Sequence, residues 1–156
     1  MRVRIIAVGT RMPAWVDAGV DDYARRLDKH WKFELLEIAA ARRSASQSPE
    51  RAIAEEGARV LAALRPGELA VALDERGTPM TTRELASRLA AGERDGRDLA
   101  LLVGGADGHA AEVRRRCGES WSLSRLTLPH GLARLLLTEQ LYRAQSLLAN
   151  HPYHRD

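Results

Sequence analysis

A chain of 156 residues with 45% hydrophobic and 29% charged side chains has room for one packed core, and this composition argues against a long disordered tail, a collagen-like repeat or a coiled coil. No apolar run approaches the roughly 18 residues of a membrane span, and a single cysteine, Cys117, excludes an intramolecular disulfide framework or a multi-cysteine zinc site. The net charge is +3, and 22 of the 24 basic side chains are arginine, a skew that suits phosphate and RNA but that a GC-rich gene also produces.

The first elements read strand, helix, strand. Val3–Val8 is β-branched and stops at Gly9; Trp15, Val16, Val20, Tyr23, Ala24 and Leu27 recur at helical spacing; Phe33–Ile38 is again strand-like. Residues 39–47 carry Arg42, Arg43 and two serines without periodicity, so they form a loop that ends where Ser48 and Pro49 supply an N-cap and first helical position. The helix after them runs to about Leu64. Pro66-Gly67 then breaks the chain before a buried strand, Glu68–Leu73, which ends at Asp74.

Thr81 with Glu84 predicts a capping box for a helix carrying Leu85, Leu89 and Ala90, and Leu99–Val103 predicts a further strand running into Gly104-Gly105-Ala106-Asp107-Gly108. A polar helical stretch, residues 109–117, follows. The segment from Trp121 to Pro129 reads as a strand interrupted by serine and threonine. A long helix begins at about Leu132, with an apolar stripe of Leu132, Leu135, Leu136, Leu141, Ala144 and Leu148. Alternating strands and helices predict an α/β domain over residues 1–156, with a mostly parallel sheet flanked by helices. The closing Asn150-His-Pro-Tyr-His-Arg-Asp156 contains nothing core-like.

The glycines after Val103 occupy the carboxyl end of a buried strand, where open α/β sheets bind ligands. They match no phosphate fingerprint: G-x-G-x-x-G is absent, as is a P-loop lysine followed by serine or threonine, which disfavours a nucleotide hydrolase. A tight turn requiring positive φ is the plainer reading of the glycines. Asp74 and Asp107 follow strands and suit turns or caps more readily than a metal, and Cys117 lacks the glycine-rich elbow of a nucleophile. Arg114-Arg-Arg116 reads as a solvated helix face. The tail offers donors, an aromatic plane and a cation through Asn150, His151, Tyr153, His154 and Arg155, a combination suited to RNA, although a disordered terminus is the default.

Four blocks, Val8-Gly-Thr-Arg-Met-Pro-Ala-Trp15, Leu102-Val-Gly-Gly105, Ser122 to His130 and Asn150 to Arg155, together resemble the ribosomal RNA large subunit methyltransferase H family, small members of the SPOUT class, across essentially the whole chain. The resemblance implies a homodimer with a C-terminal trefoil knot; the single cysteine suits a reducing cytoplasm, and neither a metal nor a membrane partner is expected. The implied reaction carries a methyl group from S-adenosyl-L-methionine to N3 of a pseudouridine in large-subunit (23S) ribosomal RNA, and the small size and modest charge of the chain lead us to expect the assembled ribosome as its substrate. Cofactor contacts carry over to Leu73, Gly105 and the loop of Leu123, Ser124, Arg125, Leu126, Thr127, Leu128 and Pro129. Two adjacent glycines let backbone approach a ligand closely, and free N–H and C=O groups read an adenine edge.

In this reading the proton acceptor is His130 or His154, ahead of Glu139 and Tyr142, while Arg143, Tyr153 and Arg155 hold the RNA. The tail is expected to reach a partner's cofactor pocket. The competing reading from another class is a non-catalytic ribosome-binding factor that grips RNA through Arg42, Arg43 and the tail, with salt-sensitive association and no methyl transfer.

Overall fold

The computed structural model describes residues 1–27, 29 and 31–154. Its elements are β1 (Arg2–Val8), α1 (Ala14–Arg26), β2 (Lys32–Ile38), α2 (Pro49–Ala63), β3 (Leu69–Pro79), α3 (Thr82–Arg94), β4 (Leu99–Val103), α4 (Ala111–Arg116), β5 (Glu119–Ser122) and α5 (His130–Leu148), followed by a 3₁₀ turn at Pro152–His154. The five strands pair in parallel in the order β2-β1-β4-β3-β5. Each crossover is a helix or a helix with its loops, as parallel pairing requires.

Strand periodicity divides the core in two. Val3, Ile5 and Ala7 of β1 with Leu99, Leu101 and Val103 of β4 face Leu85, Leu89, Leu137 and Leu141, so α1, α3 and α5 cover one side. Ile6, Val8, Ala100 and Leu102 face Val60 and Val113 of α2 and α4 on the other. Arg4 occupies an even position on this second side. Its buried guanidinium donates to Glu68 at 2.9 and 3.0 Å and to the Ala63 carbonyl at 3.2 Å, which supplies the partners a buried charge requires.

Local signals place the helix starts. Ser48 Oγ accepts the Arg51 N–H at 3.3 Å, and Thr81 and Glu84 complete their reciprocal box. Two expected element bounds are corrected. β3 does not end at Asp74 but continues to Pro79, with its register against β5 shifted between Leu73 and Thr78, because the polar residues of the extension pair along the rim instead of in the core. α5 begins at His130, two residues before Leu132.

The buried face of α5 also differs from the leucine stripe. Leu132 and Leu148 are exposed, while Arg134, Leu137, Thr138, Leu141, Ala144 and Gln145 are buried. Arg134 is completely buried because its guanidinium reaches the carbonyls of Val8 and Gly9 at 3.4 and 3.1 Å and Glu37 at 3.2 Å. The tail is not featureless up to His154. Tyr153 packs on Tyr142 with the rings tilted at 55° and their centroids 4.6 Å apart, and donates its hydroxyl to Glu139 at 3.1 Å.

Candidate active site

A cavity of about 420 Å³ opens at the carboxyl ends of β3 and β4, where parallel α/β sheets bind ligands. The β4 turn forms one wall. Gly108 has φ +79° and returns its N–H to the Gly105 carbonyl at 3.1 Å, while a Cβ on Gly104 would lie 2.9 Å from the Gly108 carbonyl carbon. The positive φ expected of the adjacent glycines therefore falls at Gly108, and Gly104 is required for close backbone approach. At Gly105 a Cβ would meet Val8 Cγ1 at 3.0 Å and Glu56 Oε2 at 3.1 Å.

The opposite wall is the loop after β5. Beyond Ser122 the chain leaves the sheet, so the loop's backbone N–H and C=O groups are not consumed by ladder pairing. Ser122 donates to the Ser124 carbonyl and the Leu126 N–H to Ser124 Oγ, each at 2.9 Å, and Thr127 donates to Glu75 Oε2 at 2.9 Å. The extension of β3, which the sequence reading ended too soon, is thus the anchor of this loop. Asp74 accepts the Arg76 N–H and pairs with Arg114 at 3.1 Å, so it is a turn residue and a charge partner.

Two histidines complete the cavity. His109 Nε2 lies 3.1 Å from both the Leu73 and Leu102 carbonyls, which only accept, so Nε2 carries the proton and ties β3 to β4. Burial pushes His109 below the ordinary histidine range. His130 opens α5, and partial burial and then the neighbouring Arg134 cation lower its pKa, against a smaller opposing pull from Glu56. Its imidazole is thereby kept neutral and able to accept a proton near neutrality.

Of the residues expected at the cofactor, Leu73, Gly105, Leu123, Ser124, Leu126, Thr127 and Leu128 line the cavity; Arg125 and Pro129 do not. Of the proton-acceptor candidates, His130 alone lines it among those whose side chains are described. Glu139 and Tyr142 lie nine and twelve residues farther along α5, about 14 and 18 Å at 1.5 Å per residue. There Glu139 accepts from Arg143 at 3.0 Å, and the Arg143 guanidinium lies over the Tyr153 ring at 5.0 Å from its centroid. Burial and hydrogen bonding to Tyr23 and Glu139 raise the Tyr153 pKa. His154 falls in the 3₁₀ turn, and Arg155 lies outside the described residues.

Sequence reasoning passed over His109, Glu56 and Arg134. The signal for Arg134 was available as a lone cation inside Leu132-Ala-Arg-Leu-Leu-Leu137, one turn after His130. Arg43, weighed as a grip on RNA, is instead engaged by Glu56 and Asp107.

A parallel sheet whose last strand, polar loop and final helix enclose a ligand cavity is the architecture of a methyltransferase class. The sequence model of predicted SPOUT methyltransferases matches residues 1–154, and the chain belongs to that family. It is 50% identical over 155 residues to the ribosomal RNA large subunit methyltransferase H of Xanthomonas campestris pv. campestris, with 99% of each chain covered. The protein of that name from Methylococcus capsulatus is likewise 50% identical, over 99% of this chain and all of the relative. Solved structures share the fold at lower identity. A methylase family protein from Neisseria gonorrhoeae matches with TM-score 0.56 at 17% identity, over 90% of this chain and 81% of that one. A methyltransferase from Bordetella pertussis Tohama I matches with TM-score 0.55 at 22% identity, over 91% and 95%.

Proposed function

We propose that the chain transfers a methyl group from S-adenosyl-L-methionine to N3 of a pseudouridine in large-subunit ribosomal RNA, acting on the ribosome in the cytoplasm. The observation that carries the reading is the cavity itself. The residues fit such a donor: two polar backbone walls suit the adenine and ribose, and the Glu75 carboxylate suits a cationic group. Bound there, the donor supplies a methyl group already attached to a sulfonium leaving group.

The chain's own work is binding, orientation and proton removal. The glycine turn and the loop of residues 123–129 hold the donor, with Glu75 fixing the loop through Thr127. His130, kept neutral, accepts the N3 proton from the uracil ring. Orientation supplies effective molarities of about 10⁵ to 10⁸ M, whereas a positioned base adds about 10² to 10⁴-fold, so placement of the two reactants dominates. Arg143 and the tail residues Tyr153 and Arg155 are assigned to the RNA.

A homodimer belongs to the same reading. Trp15 on α1 is 60% exposed, and Leu132 and Leu148 on α5 are also exposed, leaving apolar surface on two helices that pack together. A second copy covering this face would place the Glu139, Tyr142 and Tyr153 cluster near a subunit boundary. The C-terminal trefoil knot also belongs to this reading.

Calorimetry with S-adenosyl-L-methionine tests the donor assignment, with Gly104→Ala as the control. The added methyl meets backbone at Gly108, so the turn that walls the cavity must shift and donor binding is expected to weaken. Saturable binding that Gly104→Ala weakens, together with a methylated pseudouridine found by nucleoside mass spectrometry, is the expected result. A folded protein that binds no donor overturns it.

A further inference from the structure

The loop between β2 and α2 contains no element of its own, yet it is tied down beside the cavity. Glu56 of α2 is 2% exposed. Its Oε1 accepts the Ala41 N–H at 2.9 Å and an Arg43 Nη1–H at 2.5 Å. The same guanidinium returns Nη1–H to the Ala41 carbonyl at 3.0 Å and gives Nε–H and Nη2–H to Asp107 Oδ2 at 3.3 and 2.8 Å. Asp107 lies in the glycine turn of the cavity wall, and Glu56 Oε2 sits 3.1 Å from where a Cβ on Gly105 would lie.

One arginine therefore joins three segments: its own loop, α2 and the turn after β4. The arrangement meets a physical need. A turn containing Gly104, Gly105 and Gly108 has little conformational restriction of its own, so its shape must be imposed from outside. A buried carboxylate needs a hydrogen-bonded cation, and the planar guanidinium satisfies Glu56 while still holding Asp107.

We propose that Arg43, anchored by Glu56, is a positioning residue of the methyl-donor cavity: through Asp107 it fixes the Gly105–Gly108 backbone against which the donor binds. The inference rests on the reading of the cavity as the donor site. Arg43 acts through the turn and is not itself a catalytic residue. Its effect therefore falls on the donor and not on the RNA.

The test uses the full chain, calorimetry with S-adenosyl-L-methionine and steady-state methyl transfer to ribosomal substrate. Arg43→Gln is expected to weaken donor binding and raise the donor KM by about 10- to 100-fold, the scale of a misplaced binding group, with the RNA KM unchanged. Arg43→Lys recovers part of the affinity, since it restores the charge without the fork. Asp107→Asn leaves the buried Glu56–Arg43 pair in place, so it guards against a folding defect, and it shifts donor affinity in the same direction. Wild-type donor affinity in both Arg43→Gln and Asp107→Asn would overturn the inference, as would a rise confined to the RNA KM, which would make Arg43 an RNA contact. A wild-type protein that binds no donor overturns the cavity's assignment and this inference with it, which separates the two failures.

Discussion

Replacement of His130 by alanine is expected to slow methyl transfer by about 10²- to 10⁴-fold, the range a positioned general base contributes, with most of the loss in kcat. The expectation comes from place and protonation together. His130 is in the cavity wall, at the first residue of α5, and burial and Arg134 hold its pKa below the ordinary value of 6.5. A base works in its deprotonated form, so the wild-type rate should climb with pH through that lowered pKa and level off at a lower pH than an ordinary histidine allows. Single-turnover rates across pH in both proteins check this. The alanine variant should lose the acid limb that belongs to His130, and an unchanged rate and limb would move the proton acceptor out of the cavity wall.

The second large effect concerns stability. Glu68→Ala is expected to destabilise the fold by about 3–5 kcal/mol, because it removes the buried counter-charge of Arg4 and leaves that cation only the half-exposed Glu34 carboxylate at 3.3 Å. Both side chains are almost wholly buried, and Glu68 also accepts the Arg65 N–H at 2.9 Å, so one truncation leaves a charge and a backbone donor short of partners. At about 2–4 °C per kcal/mol for a chain of this size, thermal unfolding should fall by about 6–20 °C. The double replacement Arg4→Met with Glu68→Leu should recover much of the loss, since it removes both charges together. This pair sits toward the amino end of β3, away from the cavity at the carboxyl ends, so donor binding at low temperature should survive. Calorimetric melts and donor titration of the same samples separate the two readouts.

The two predictions mark different depths of legibility. Asp107 was legible as a turn or cap residue, and the glycines as a turn at a strand's carboxyl end, since both depend on neighbours in the chain. Capping at Ser48 and at Thr81 with Glu84 was read for the same reason: donor and acceptor lie three residues apart. The β1 and β4 strands were read from β-branched and apolar runs that stay buried, and β2 from a strand-like run that is only partly covered at the sheet edge. The leucine stripe of α5 failed where apolar periodicity was taken to mean burial. Arg134 is buried because Val8, Gly9 and Glu37, all about a hundred residues or more away in sequence, meet it.

The candidate site divides along the same line. The resemblance brought Leu73, Gly105 and the loop after Leu123 to notice, and most of those residues do line one cavity. It ranked His130 ahead of Glu139 and Tyr142 and left it level with His154; along α5 the first three lie some turns apart, and of them His130 lines the cavity. By itself the sequence determined the alternation of strands and helices, the caps, and the family to which the chain belongs, because each is encoded in short-range pattern. Only the tertiary structure decided that β3 runs on to anchor the cavity loop, that Arg43 is spent on Glu56 and Asp107, and that the Arg4–Glu68 pair and the Arg134 guanidinium lie in the core. Those outcomes depend on which distant groups arrive to satisfy a buried charge, and no spacing along the chain records that meeting.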